Sequence, residues 1–162
     1  MNKDINDFFN VDMERDIWIL LSHYRHHEWL GQEYADILNS VFVGSIVKGR
    51  LFLSMLGIKA DKQNNTTSLH NEEKGNITAK TLDGRFAEST DFKNGEREML
   101  YRLLTSVNKA EVHRDGYDET NDEIIHPSIL AILRLIDDCI YEHSGRKIKY
   151  EYAQQLLKHI KK

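Results

Sequence analysis

Apolar side chains recur at alternating steps of four and three residues near the start of the chain. The stripe occupies Met13, Ile17, Leu20, Tyr24, His27, Gly31, Tyr34, Leu38 and Val41. Two positions are unusual for such a stripe, because His27 is ionisable and Gly31 has no side chain. These are the a and d positions of a heptad, and the pattern predicts a long helix that packs along another helix. We expect a first helix over residues 13 to about 39, with Asp12 as its N-cap, and a homodimer formed through this helix.

A second apolar run, which ends at Leu56, predicts a second helix. Few helix-breaking residues separate it from the first helix. One straight helix through both runs would be about 65 Å long at ~1.5 Å per residue, which is too long for a domain of this size. We therefore expect a break, most readily at Asn39 and Ser40, because the serine can cap a new helix. Two glycines later in the run are alternative break points, Gly44 and Gly49. Gly57 is expected to end the second helix as its C′ glycine.

Residues 59–94 form a polar stretch rich in turn-forming residues, which predicts a long loop insertion between the second and third helices. Within it, residues 77–82 could form a short strand, with residues 68–71 as the other arm of a small hairpin. Phe86 and Phe92 are expected to hold the loop against the core. A loop of this length without a helix often carries function.

Three further amphipathic stretches complete the chain. The third helix is expected over residues 94–113, and an acidic loop follows it. His126 and Pro127 would open the fourth helix, because proline is tolerated at the first helical position. That helix should stop at Ser144 and Gly145. The short C-terminal helix has an apolar face made of Tyr152, Leu156, Leu157 and Ile160.

These elements predict an all-α fold in a single domain that spans residues 1–162. Four main helices form a bundle, a short C-terminal helix adds to it, and the loop insertion separates helices 2 and 3. The chain has 162 residues, of which 40% are hydrophobic and 30% charged, as in ordinary globular domains. The acidic N-terminus lacks the apolar run of a signal peptide, and no window reaches about 18 apolar residues. We therefore expect a cytoplasmic protein without a membrane partner.

Charge and cysteine content exclude several kinds of site. The formal net charge of -4 argues against attraction of the whole protein to nucleic acid, although it leaves a local basic patch open. Cys139 is the only cysteine, so an intramolecular disulfide and a zinc site built on cysteine pairs are both excluded. Because Cys139 lies in an apolar run, we expect it to be a small buried side chain.

His23 and His27 are four residues apart in the sequence HYRHHE of the first helix and therefore share one face. Helical zinc ligands use this spacing, and His113, Asp115 or His126 could complete such a site. The alternative is an exposed basic and aromatic face with one hydrogen-bonded histidine. We favour this alternative, so the sequence predicts neither a metal nor a cofactor.

His113 and Arg114 stand where the third helix is expected to end. A histidine and an arginine at a helix C-terminus stabilise the helix dipole, which explains both residues without a substrate. If the third helix lies beside the first, however, both would meet His23 and His27. Histidines and an arginine can supply a general acid, a general base and a phosphate clamp, and metal-independent RNA cleavage needs little more. These four residues are the candidate catalytic residues.

Basic residues in two parts of the chain are candidates for binding nucleic acid. Arg25 and His26 lie in the first helix, and Lys147 and Lys149 belong to a basic C-terminal region interleaved with tyrosines. Lysine and arginine bind phosphate backbones, and aromatic side chains stack on bases. The alternative is a solvated charged surface without a ligand.

The order of elements resembles that of the HEPN superfamily, with a long first helix, a variable middle loop and two later helices separated by a polar cluster. The resemblance implies a helical bundle that is either a metal-independent RNase of toxin–antitoxin or phage-defence systems, or a non-catalytic dimeric partner of one. Active members carry an arginine followed after four to six residues by a histidine. No arginine of this chain has that spacing, since Arg114 and His126 are too far apart. The resemblance therefore implies a divergent or inactive member, and no catalytic residue is carried over.

Three functions compete on these observations. The first is an interaction or regulatory bundle that binds a protein partner or a second copy of itself. The second is a metal-independent ribonuclease with His23, His27, His113 and Arg114 around one cleft. The third is a metal-binding helical protein. We expect the first, because the heptad stripe is long and no catalytic motif is complete.

Overall fold

The computed structural model describes residues 4–26, 35–71, 77–106 and 122–162, and most of these are helical. The predicted all-α fold is confirmed, since the described residues contain only one small sheet, of two strands. The main elements in chain order are α1 (Ile5–Asp7), a π-helical turn (Phe8–Met13), α2 (Glu14–His26), α3 (Ala35–Met55), β1 (Lys59–Asp61), β2 (Thr66–Ser68), α4 (Glu96–Ser106), α5 (Asp122–Ile136), a second π-helical turn (Asp137–Glu142) and α6 (Glu151–Ile160).

The helices α2 and α3 pack against each other in antiparallel directions. Ile19 of α2 lies beside Gly44 of α3, whereas Asp16, one turn earlier in α2, pairs with Lys48, one turn later in α3. The described members of the heptad stripe up to Leu20 are buried in the core of the same chain. This part of the stripe therefore packs within the chain, and a homodimer would have to use another face of α2.

The predicted break at Asn39 and Ser40 is wrong, because α3 runs without interruption from Ala35 to Met55. The predicted first helix that reaches Asn39 is also wrong, because residues 35–39 belong to α3, which packs antiparallel to α2. Neither Gly44 nor Gly49 breaks α3, and Gly49 serves close packing. A Cβ atom on Gly49 would lie only 3.2 Å from the side chain of Ile132 in α5, so this glycine lets the two helices approach.

Gly57 ends α3 as predicted. It has a positive φ of 76°, which glycine adopts at little cost, and its N–H donates to the carbonyl of Ser54. The N–H of Ile58 donates to the carbonyl of Leu53 at 2.8 Å. These two bonds form a Schellman motif, which satisfies carbonyls that the helix end leaves open.

The loop insertion contains a hairpin, but not at the predicted residues. β1 and β2 pair antiparallel, with Asp61 opposite Thr66, whereas the predicted strand at residues 77–82 is absent and Lys80–Leu82 form a 3-10 turn. The hydroxyl of Thr81 donates to the carbonyl of Thr78, so side-chain hydrogen bonds favour a turn there. The apolar residues Ile77, Ala79 and Leu82 do not distinguish these two conformations in so short a segment.

The second half of the insertion packs against the core. Phe86 is buried and Phe92 is partly buried, as predicted. The N–H of Arg85 donates to the carbonyl of Cys139 at 2.8 Å, and the Arg85 guanidinium binds Asp91 through two contacts of 2.6 and 2.7 Å. Gly84 approaches the second π-helical turn so closely that a Cβ atom would lie 2.6 Å from the Cys139 oxygen.

The fourth predicted helix begins earlier than expected. α5 starts at Asp122, so Pro127 lies inside the helix and does not open it. Proline removes only the bond to the carbonyl of Glu123, which lies in the first turn, and Pro127 itself is exposed. Gly145, with a φ of 70°, stops the helical stretch as predicted, and α6 follows close to the predicted C-terminal helix.

Candidate functional site

Two histidines meet where α2 and α5 pack together. His23 is completely buried, and its Nδ1 lies 3.3 Å from Nε2 of His126. The backbone N–H of His23 donates to Ser45 Oγ, and the edge of the His23 ring packs against Phe42. Tyr24 packs against the His126 ring, with ring centroids 5.1 Å apart. The pair can share one proton in a hydrogen bond, with the donor set by the tautomer.

The structure therefore places one predicted catalytic residue, His23, against a histidine that the sequence suggested only as a metal ligand. The predicted residues His27, His113 and Arg114 lie outside the described residues. Complete burial gives His23 a packing and hydrogen-bonding role in this state. His126 could not be assigned as its partner from the sequence, because 103 positions separate the two residues.

The cluster best arranged for a cation in the described residues contains no histidine. Asp137, Asp138 and Glu142 converge at the second π-helical turn, and the Lys161 ammonium lies 2.5, 2.6 and 2.9 Å from their oxygens. Burial raises the pKa of the Asp137 carboxyl, and the contact with Lys161 opposes that shift. Lys161 occupies the position that a metal ion would need, so the cluster anchors the end of α6.

This cluster is not evident from the sequence, for a geometric reason. Asp137 and Glu142 are five residues apart, which on an α-helix puts them on different sides, but a π-helix places i and i+5 together. Lys161, near the C-terminal end of the basic region, is paired with carboxylates of the same chain.

Arg25 lies at the contact between α2 and the segment before α6. Its Nη1 donates to the Tyr150 hydroxyl at 3.0 Å, and its guanidinium lies 5.6 Å from the ring centroid of Tyr152. Lys147 and Lys149 are exposed on the same segment. The structure thus brings Arg25 together with the C-terminal basic region.

His26, the fourth predicted nucleic-acid-binding residue, belongs to a different surface. It lines a groove of about 470 Å³ between α2 and α3, with Trp18, Ile37 and Gly44 among the other lining residues. Trp18 is 48% exposed and Ile37 is 52% exposed.

The outer side of α3 continues this groove as an apolar stripe. Val47 and Leu51 follow Gly44 at three and seven residues and are 56% and 43% exposed. We call the surface formed by Trp18, Ile37, Gly44, Val47 and Leu51 the α2–α3 face. Exposed apolar side chains that recur at helical spacing are typical of a surface that packs against another helix.

Charged residues beside the α2–α3 face are paired with one another. Arg15 lies 3.3 Å from Asp12 and 3.4 Å from Asp16, and Lys48 lies 2.8 Å from Asp16. The surroundings of the face therefore carry little unbalanced charge in the described residues.

Comparison of the chain with protein-family models, with curated proteins and with solved structures returned no match. Among the described helices, none combines the length and the apolar character that crossing a membrane requires.

Proposed function

We propose that this protein is an interaction module that self-associates through the α2–α3 face. The observation that carries the proposal is the exposure of one tryptophan and three aliphatic side chains in a single surface, 43–56% for each of them. Their exposed apolar area is roughly 400 Å², if a fully exposed large side chain contributes about 150–250 Å². The largest apolar patch on a monomer is of this size and is often functional.

A second copy of the chain fits this face better than a highly charged partner. Ion pairs among Asp12, Arg15, Asp16 and Lys48 leave little net charge beside the face, so two copies can approach without like charges meeting. A dimer with two-fold symmetry uses the same patch twice, and packing two α2–α3 pairs against each other gives a four-helix contact. A standard interface buries about 800 Å² per partner, so the apolar patch would form the centre and the paired charges the rim.

The test is the oligomeric state of the full chain by sedimentation equilibrium between about 1 and 200 µM. The wild type is expected to dimerise in this range, and Trp18→Glu and Val47→Glu are each expected to weaken association at least 10-fold. Ile77→Glu is the matched control, because Ile77 is also 48% exposed but lies outside the α2–α3 face. A monomeric wild type at 200 µM, or equal loss of dimer in the Ile77 variant, would contradict the proposal.

A second candidate function, a metal-independent ribonuclease, is supported by the approach of His126 to His23. His126, which is only partly buried, would be the general acid or base, and the buried His23 would hold its ring through their contact. Incubation with labelled RNA in EDTA tests this function, with His126→Asn compared with wild type and His143→Asn as control for an exposed histidine. EDTA-resistant cleavage that His126→Asn alone abolishes is expected from a nuclease, whereas no cleavage by the wild type would exclude it.

A further inference from the structure

We propose that the segment Arg146–Lys149 together with Arg25 and Tyr152 binds the sugar–phosphate backbone of an extended single-stranded nucleic acid. We call this surface the basic strap. It is separate from the α2–α3 face, so the inference goes beyond the proposed self-association.

The exposure pattern of the basic strap is that of an extended backbone. Lys147 and Lys149 are exposed, whereas Ile148 between them is 2% exposed, an alternation with the period of a strand. Tyr150 continues the extended conformation, with φ of −62° and ψ of 110°. The two lysines therefore project from the same side, about 7 Å apart along the chain, which is close to the spacing of neighbouring phosphates on an extended strand.

Hydrogen bonds from other elements hold the strap in place. The Glu14 carboxylate of α2 accepts the backbone N–H groups of Lys149 and Tyr150 at 2.7 and 2.9 Å. The Ile148 carbonyl accepts a hydrogen bond from the Gln154 side chain at 2.6 Å. The backbone is thus ordered before any ligand binds, which lowers the entropy cost of binding. The same bonds occupy both oxygens of the Glu14 carboxylate.

The charges of the strap point to an anionic ligand. Neither Lys147 nor Lys149 has an ion pair in the described part of the chain, whereas Lys161 is held by three carboxylates and Arg146 by Asp83 at 3.6 Å. When two solvated ammonium groups on a rigid backbone meet phosphates, the counterions condensed on the nucleic acid are released, and this release favours binding.

The aromatic end of the strap distinguishes a nucleic acid from other polyanions. The Arg25 guanidinium lies over the Tyr152 ring, and the Tyr150 ring is 6.1 Å from that of Tyr152. Guanidinium planes and tyrosine rings are the groups on which unpaired bases stack. In a duplex these base faces are already stacked, so the ligand is a single strand.

The test is fluorescence anisotropy of labelled 20-nucleotide oligo(U), oligo(dT) and a mixed-sequence duplex, titrated with the full chain at 50–200 mM salt. Wild-type protein is expected to bind both single strands more tightly than the duplex. Lys147→Ala/Lys149→Ala is expected to weaken binding about 10-fold and to reduce the slope of log K against log salt by about 1.4, since each phosphate contact contributes about 0.7 for single strands. Tyr152→Leu is expected to weaken binding about 10-fold while leaving the salt slope unchanged.

The control is Lys62→Glu, which changes the net charge by the same amount at the exposed turn of the β1–β2 hairpin. It should bind as the wild type does. No binding of either single strand at 50 mM salt and 100 µM protein would overturn the proposal, as would equal weakening by the double variant and by Lys62→Glu. Tighter binding of the duplex would overturn the assignment to a single strand. Comparison of oligo(U) with oligo(dT) decides whether RNA or DNA is preferred.

Discussion

Replacement of Gly84 by alanine tests how the loop insertion is held on the second π-helical turn. A Cβ atom at this position would lie 2.6 Å from the Cys139 oxygen, and real Cβ atoms essentially never come within 3.0 Å of such an atom. The next nearest atoms, the Ala79 oxygen and the Ile140 Cα, are each 3.0 Å away and also belong to the backbone. No side chain can move aside to make room, so the loop itself must shift.

The magnitude follows from the contacts that such a shift disturbs. Overpacking of this kind costs about 1–3 kcal/mol. The hydrogen bond from the Arg85 N–H to the same Cys139 oxygen would be weakened, which costs about 0.5–1.5 kcal/mol. Gly84 is not among the glycines with positive φ, so alanine would recover about 0.4–1 kcal/mol from the unfolded state. The net expectation is a loss of about 0.5–4 kcal/mol, or roughly 1–16 °C in Tm.

The assay is urea unfolding followed by circular dichroism at low protein concentration. Gly44→Ala is the matched control, because its Cβ would make an ordinary contact of 3.4 Å with Ile19 inside a helix, and we expect that variant to be up to about 1 kcal/mol more stable than wild type. The two variants thus differ in sign. If Gly84→Ala is as stable as wild type, the close approach of the loop to Cys139 is not a feature of the folded protein.

Three further predictions concern charged groups and the thiol. The Arg85 guanidinium holds the pKa of Asp91 below its usual value, so the stability lost in Asp91→Asn should be complete above about pH 4 and should shrink as the pH falls further, as measured by urea unfolding at pH 7, 4 and 3. Burial raises the pKa of the Cys139 thiol to about 12, so its reaction with a disulfide reagent at pH 8 should be at least ~100-fold slower than in urea. Lys161→Met should speed amide exchange in α6, because the cluster around Asp137 loses its cation, whereas Lys158→Met should not.

Features that depend on a few neighbouring residues were predicted correctly from the sequence. Gly57 and Gly145 were assigned as helix stops, and both have positive φ in the structure. These features are local, because the conformation of a glycine after a helix is set by the last turn of that helix. Local patterns were less reliable in short segments that fit two conformations, as at residues 77–82, where the predicted strand is a turn at Lys80–Leu82.

The heptad stripe predicts which side chains are buried but does not identify the helix that buries them. Its spacing correctly indicated that Met13, Ile17 and Leu20 would be buried against helices. It could not indicate whether the partner was a second copy or the same chain, because the same side chains satisfy either arrangement. The antiparallel packing of α2 and α3 decides for the same chain.

Which residues form the candidate surfaces was decided only by the tertiary structure. Trp18 and Val47 are side chains of the kind found in cores, and they are exposed because α2 and α3 pack against the rest of the chain through their other sides. His126 reaches His23, and Arg25 reaches Tyr150, across more than a hundred positions of sequence. Hydrophobic spacing determines which side chains leave water, whereas the choice of contacts depends on how distant helices pack, and no local signal in the sequence carries that choice.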